Sequence, residues 1–327
     1  MPKSKLQLVR IVLAVACLSQ AAIAQQTYPS KPISVVVPFA PGGSVDGEAR
    51  FYTDKVSARL KQPLVFDFRG GAGSSIGISY VIKSPQNDGH VLLITNAGIT
   101  VIPNFYKEVS EAAARTLVPI IQLTDRPTVV MTSVAALPNV NTLQDVVAYA
   151  KANPGVLNCN TSGAGSISHI ACAAMANALN IKISPVHYKG IAQGQIDLIA
   201  GRTHVYPGSL LGAIPQFKTG KLRAIAVPSP NRAALIPDVK TTHEQGFNFD
   251  YPTWLGVFAP AGTSPAVVKV LNTEFAAAVR APDVLEQVGK LGSVPVTSSP
   301  EAFRKQFDSE LTYWKKIVQD NDIKLEE

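Results

Sequence analysis

Short, β-branched apolar runs alternate with stretches of helical periodicity along most of this chain, and glycine-rich breaks separate many of the pairs. Ile33–Val37 reads as a buried strand, and 45–60 then places Ala49, Tyr52, Val56 and Leu60 at helical spacing. Leu64–Phe68 reads as a second strand, followed by a glycine-rich loop and a helix over 75–83. The Asn87-Asp88-Gly89 turn leads into a third strand over 90–95. The pattern restarts around 122–128, with a strand over 129–132 and a helix over 142–153 that Pro154-Gly155 stops. A strand over 157–160 and a helix over 167–179 come next. Further strands are read at 183–188, 204–206 and 223–227, with helices at 191–200 and 211–219. After the break at Pro228-Ser229-Pro230, Trp254–Ala259 is a strand, and amphipathic helices over 265–280, 282–291 and 300–320 finish the chain. Phe303, Phe307, Leu311, Trp314 and Val318 make one face of the last helix, which can clamp onto either domain. Alternation of this kind predicts an α/β fold with largely parallel sheets. Two restarts and two breaks predict two domains joined by two crossovers, the C-terminal part returning to the first.

The N-terminus departs from this pattern. Lys3, Lys5 and Arg10, with no acid, precede an apolar run over 11–18 and the small-residue exit Ala22-Ile23-Ala24. That is the order of a secretory signal peptide cut after Ala24. The run falls short of the roughly 20 residues that span a membrane. Cutting at Cys17 for lipidation would leave a very short apolar run.

Losing those three basic residues lowers the net charge from +7 to +4. The remaining excess is spread out, without the concentrated basic face that nucleic acid requires, and it leans mildly toward an anionic ligand. No later apolar stretch reaches spanning length. Roughly 300 residues exceed what one core organises, so two domains are the default. With 46% hydrophobic and 16% charged residues, the composition excludes a disordered chain. Cys159 and Cys172 remain after cleavage. An oxidising compartment invites a disulfide between them, and two separate buried thiols are the alternative.

Three glycine-rich loops, 38–46, 69–75 and 161–166, each join a strand to a helix. The first turn of a helix leaves N–H groups unpaired at its positive end, and glycine permits close approach, so a carboxylate suits each. Ordinary turn chemistry is the competing explanation for any one of them. Gly73-Ser74-Ser75-Ile76-Gly77 matches the G-x-S-x-G string of a hydrolase with Ser75 as nucleophile. However, the string follows a four-residue loop and does not sit directly at the strand end. The five histidines and two remaining cysteines show no metal-ligand spacing, and no cofactor motif is complete. His169, just inside the helix after Ser166, is placed to steady that loop.

At these loops the chain resembles a known family. Tyr28-Pro29-Ser30-Lys31-Pro32-Ile33, the run from Val37 through Asp46 to Arg50, and Arg69-Gly70-Gly71-Ala72-Gly73 carry the first part of the resemblance. Tyr149-Ala150-Lys151-Ala152-Asn153-Pro154-Gly155, Ser162-Gly163-Ala164-Gly165 with His169, His187-Tyr188-Lys189-Gly190, the run from Gly220 to Val227 and Phe258-Ala259-Pro260-Ala261-Gly262-Thr263 complete it. The ordered set is similar to the Bug/TctC-type extracytoplasmic solute receptors of tripartite tricarboxylate transporters.

The resemblance implies an α/β, type II-like periplasmic-binding-protein fold with a ligand cleft between two lobes and two crossovers. Its expected parts are a signal peptide over 1–24, domain 1 over 25–125 plus 229–327, and domain 2 over 126–228. It implies a periplasmic monomer, with no cofactor, metal or nucleic acid, that hands a small carboxylate to integral membrane transporter subunits. One lobe would hold the carboxylate through Phe39, Ala40, Gly42, Gly43, Ser44 and Asp46. The other would use Ser162, Gly163, Ala164, Gly165 and Ser166, partly through ordered water. Lys189, Gly190, Gly208 and Ser209 would shape the rest.

One segment departs from the family. Where relatives usually carry Gly-Gln-Val-Asp and a second Asp, this chain reads Gly201-Arg202-Thr203-His204-Val205-Tyr206-Pro207-Gly208. Losing both acids while gaining His204 and Tyr206 disfavours an amino group and permits a second anion or an aromatic ring. The expected ligand is an organic acid without ammonium, aromatic or dicarboxylic. A periplasmic serine hydrolase using Ser75 and a ligand-sensing subunit of a signalling system are the competing functions.

Overall fold

The computed structural model describes residues 28–188, 191–320 and 323, with Ser44, Ala192, Leu211 and Gly212 described by backbone alone. The signal segment with its cut after Ala24 lies outside the described residues, as do Lys189 and Gly190. The chain opens with β1 (Ile33–Val37), α1 (Ser44–Leu60), β2 (Leu64–Phe68), α2 (Ser75–Ile82), β3 (Val91–Asn96), α3 (Glu111–Ala114) and β4 (Val118–Asp125). It crosses into β5 (Thr128–Ser133), α4 (Leu143–Ala152), β6 (Asn158–Thr161), α5 (Ile167–Ala178), β7 (Ser184–His187), α6 (Ile191–Ile199), β8 (Val205–Ser209), α7 (Leu210–Lys218) and β9 (Leu222–Ala226). It then returns through β10 (Trp254–Ala259), α8 (Pro265–Val279), α9 (Pro282–Lys290), β11 (Val294–Pro295) and α10 (Pro300–Asp320).

Two sheets result, ordered β11-β4-β10-β3-β1-β2 and β7-β6-β8-β5-β9. Apart from β11, their orders are equivalent: β1, β2, β3 and β4 occupy the places of β6, β7, β8 and β9, and β10 answers to β5. Neither sheet is as parallel as the alternation of strand and helix suggests. β10 runs antiparallel to both β3 and β4, and β5 runs antiparallel to both β8 and β9. These two strands follow the crossovers and not the α-helical connections that keep their sheets' other strands parallel, and they run against their neighbours. The first sheet's remaining antiparallel pair joins two-residue β11 to Asp125 and Thr124. β4 begins earlier than the apolar pattern indicates, because Pro119 reads as a strand breaker. It is tolerated because only β10 pairs with β4 at that point.

Each strand of the first lobe's centre is apolar on both faces. Val35, Leu92 and Val257 pack toward α1 and α8, while Val36, Leu93 and Phe258 pack toward α2 and α10. Local signals set the helix starts: Thr142 and Asp145 form a reciprocal capping box on α4, and Ser264 caps α8 ahead of Pro265. The two crossovers are stitched together. Arg126 N–H donates to Thr253 O (2.9 Å), Thr253 Oγ1 donates to Arg126 O (2.6 Å), and Thr128 Oγ1 donates to Tyr251 O (3.0 Å). Helix α10 serves both lobes. Phe303, Phe307 and Leu311 join the core around Trp254 and Phe258, whereas Trp314 and Val318 join the core that holds Ile170 and Met175.

Candidate ligand site between the lobes

β1 and β6 hold the same place in their respective sheets, so the loops that follow them are topological counterparts. Both open beyond strand C-terminal ends, the side of an open α/β sheet where ligands bind. They contribute to one cavity of about 620 Å³, within the range for small-molecule sites. The first lobe lines it with Gly42, Gly43, Glu48 and Phe51, and with Asn96, Ala97 and Gly98 after β3. The second lobe supplies Ser162, Ile167, Ser168, Gln195, Tyr206 and Ser209. The crossovers add Arg126, Thr128, Tyr251 and Thr253.

The first loop is shaped for its helix end. Gly42 takes φ +80°, and its N–H donates to Asp46 Oδ2 at 2.8 Å. α1 starts at Gly43 without a side-chain cap, which leaves first-turn N–H groups for another acceptor. Asp46 is buried and pairs with Arg50 at 2.8 Å, so its carboxylate braces the loop and does not line the cavity. Phe39 packs half-buried against the core, and Ala40 is exposed; neither lines the cavity.

The second loop is tied by hydroxyls. Ser166 Oγ donates to Gly163 O (2.6 Å) and accepts His169 N–H (3.3 Å), capping α5. Ser168 Oγ accepts Ser162 N–H (2.9 Å) and meets Ser162 Oγ at 3.0 Å. His169 Nδ1 accepts Gly165 N–H at 3.1 Å, so this histidine does steady the loop. Gly163, at φ +129°, holds a turn that a Cβ would strain. Gly163, Ala164, Gly165 and Ser166 do not themselves line the cavity; from this segment Ser162, Ile167 and Ser168 do. The disulfide is formed: Cys159 in β6 and Cys172 in α5, with Cα atoms 6.2 Å apart, bracket this loop.

Only two of the three glycine-rich loops converge. The loop after β2 follows an edge strand and lies under the first loop. A Cβ at Gly77 would sit 2.8 Å from both Arg69 O and Pro38 Cβ, so glycine there permits the two loops to stack. Ser75 is buried at the start of α2, away from the cavity, and among the described residues no histidine bonds to it. His204 also turns away, with Nδ1 2.9 Å from Asn158 Oδ1. Ser209 lines the cavity, and Gly208 lies directly behind it under the Tyr206 ring.

The charged lining was not legible in the loops. Glu48 is 1% exposed and bonds Arg126 through Oε2, at 2.5 and 2.8 Å. Its Oε1 accepts Thr124 Oγ1 at 2.6 Å and Tyr52 OH at 3.2 Å. Burial, with the Glu48 charge adding to it, pushes the Tyr52 phenol far above its ordinary value and keeps it a donor. Glu48 follows Asp46 at i+2 on α1, and Arg126 stands at the restart between β4 and β5. An acid inside an apolar helix face and a base at a crossover were the available signals.

The model for "Tripartite tricarboxylate transporter family receptor" matches residues 48–323. A protein from Pseudomonas sp. strain P51, the UPF0065 protein in the tcbD-tcbE intergenic region, is 36% identical over 313 residues, covering 94% of this chain and 91% of its own. Among solved structures, the periplasmic binding protein BugD superposes with TM-score 0.77 at 28% identity, covering 91% of this chain and 99% of its own. Rpa4515 of R. palustris with adipate gives 0.79 at 28%, covering 91% and 99%. MatC of Rhodopseudomonas palustris with bound malate gives 0.77 at 26%, covering 89% and 100%. The chain belongs to the tripartite tricarboxylate transporter family receptors, and it is a solute receptor and not an enzyme.

Proposed function

We propose that this protein captures a small organic acid in the cavity between its lobes, in the periplasm, and delivers it to membrane subunits of a tripartite tricarboxylate-type transporter. The observation that carries this reading is the meeting of two topologically equivalent helix N-termini, α1 at Gly43 and α5 at Ile167 and Ser168, on one cavity. Each offers unpaired N–H groups and a positive dipole end to the same anion. A carboxylate touching both lobes favours the closed form over the open one, which is what a receptor needs to signal occupancy. The solved relatives hold malate and adipate, both acids without an ammonium group. Glu48 is the one acid among the described lining residues, and Arg126 already pairs with it, so an amino acid's ammonium meets no free carboxylate among them.

Under this reading Gly42, Gly43 and Ser162, with Ser44, meet the carboxylate, while Phe39, Ala40, Asp46 and Gly163 to Ser166 shape the loops that present them. Gly208 and Ser209 help to shape the rest of the pocket, the part also expected of Lys189 and Gly190, which lie outside the described residues. Domain 1 comprises 25–125 plus 229–327, domain 2 comprises 126–228, and the receptor works as a monomer after the cut following Ala24.

Thermal-shift measurement of refolded, ligand-free protein against mono-, di- and tricarboxylates, aromatic acids and amino acids tests it. A ligand at 100 times its Kd adds about 2.7 kcal/mol of stability. A shift with organic acids and none with amino acids is expected; a flat response to every acid overturns the reading.

A further inference from the structure

Most hydroxyl groups around the cavity are spent within the protein. Thr128 and Thr253 bond backbone carbonyls, and Ser162 and Ser168 bond each other. Two phenols differ. Tyr206 on β8 is 6% exposed and Tyr251 on the second crossover is 5% exposed, and both line the cavity. Among the described residues, neither hydroxyl has a hydrogen-bond partner in the protein. Their rings are buried while their hydroxyls are not sealed in, which leaves each hydroxyl to bond what the cavity holds.

Both rings are held in position. A Cβ at Gly208 would lie 2.1 Å from Tyr206 Cε1 and 2.6 Å from its hydroxyl oxygen, so the ring lies flat across the bare Gly208 α-carbon. The Tyr251 ring stands edge-on to Trp314, with centroids 6.5 Å apart, and its backbone N–H donates to Pro228 O at 2.9 Å. Burial pushes both phenols well above their ordinary value, and the nearness of Tyr206 adds to the shift of Tyr251. Both therefore keep their protons at neutral pH and present donors. Two fixed donors in the same cavity as two helix N-termini define a site with two acceptor-binding regions.

We propose that Tyr206 and Tyr251 recognise a second oxygen function on the bound acid, so that the receptor selects carboxylates carrying a further carboxylate or hydroxyl oxygen over their plain hydrocarbon counterparts. This rests on the organic-acid reading above. An acid with an apolar far end would leave both hydroxyls unpaired in the closed cavity, and sites built to bond an oxygen reject the analogue lacking it.

Calorimetric titration with two matched pairs, adipate against hexanoate and 4-hydroxybenzoate against benzoate, is the test, on the wild type and on Tyr206→Phe and Tyr251→Phe. Each variant keeps the ring and removes the oxygen alone. The wild type is expected to favour the oxygenated member of at least one pair by tenfold or more. Each variant should lose about five- to tenfold for that member, with its counterpart unchanged or tighter. Equal losses for both members of the pair would mark the tyrosines as structural and overturn the proposal. So would a wild type that discriminates in neither pair, or variants that retain the full preference. Absence of binding by every acid in the wider screen would instead overturn the organic-acid reading, and this proposal with it.

Discussion

Glu48 Oε2 lies 2.5 Å from Arg126 Nη2, which ties the first turns of α1 to the residue where the chain leaves the first lobe. The carboxylate is 1% exposed and the guanidinium side chain 15% exposed. Such a pair gains little over an apolar substitute, but breaking it by removing one partner leaves a buried charge uncompensated. Because Arg126 also bonds Thr253 through its backbone, the pair fixes the crossover against the wall of the cavity.

Arg126→Met should therefore destabilise by about 3 kcal/mol. Glu48→Gln with Arg126→Met should recover most of that loss, because the uncompensated charge goes with the first change. Urea unfolding of both single variants and the double variant gives the coupling directly, and additive losses would refute the account.

The two loop glycines allow a sharper experiment than most cavity residues. Gly42→Val and Gly163→Val place a β-branched residue at φ +80° and +129°, at a cost of about 1–3 kcal/mol for the loop conformation. A Cβ at Gly42 meets nothing within 4 Å, and at Gly163 it meets only Tyr188 O at 3.6 Å, so the core is untouched. Acid affinity should fall about tenfold or more in each. Ligand-free circular dichroism should stay unchanged. Unaltered affinity in both variants would remove the loops from the binding site.

Glu310 gives the protein a pH signature. Burial pushes its carboxyl up to about 7, against the hydrogen bonds from Gln306 and the Trp254 indole, while Asp125 raises it further. The unfolded chain ionises this group near its ordinary value of 4.5. The folded state thus binds the proton more tightly, and the contribution is full below pH 4.5 and lost as pH rises through 7. Relative to Glu310→Gln, the wild type should lose on the order of 3 kcal/mol of stability between those limits, then level off. Parallel pH dependence of the two proteins would contradict the burial argument.

The disulfide closes a loop of sequence separation 13 around the Ser162–Ser166 turn. Reduction, or the Cys159→Ala/Cys172→Ala pair, should cost about 3 kcal/mol by the loop-entropy account. Acid affinity should drop with it, because the bridge holds β6 against α5 on either side of that turn. Melting and calorimetry with and without reductant measure both effects.

Element types were legible because strands such as Leu64–Phe68 and Trp254–Ala259 carry short, mostly apolar runs bounded by turn residues. Strand direction was not. Whether β10 and β5 run with or against their neighbours depends on where the crossovers deliver the chain, which no local period records. The two cavity loops announced themselves through Gly42 and Gly163, residues whose positive φ constrains their type. The rest of the cavity stayed hidden for the opposite reason. Tyr206 stood out only as a departure from the family pattern, beside His204, which turns away, and Tyr251 is an ordinary aromatic residue in sequence; only long-range folding turns both rings onto one space. The third glycine loop looked like the others but serves to support them, since β2 is an edge strand.

Helix α10 gives the molecule a common finishing point. Phe303 and Phe307 belong to one core and Trp314 and Val318 to the other, yet all four lie in the last helix of the chain. Neither of those two cores is complete until this segment has been made, whereas the core around Val35 and Tyr52 and the one around Met131 and Leu198 take nothing from it. A chain shortened within α10 would therefore lose packing in both lobes at once, although the cut falls in neither sheet.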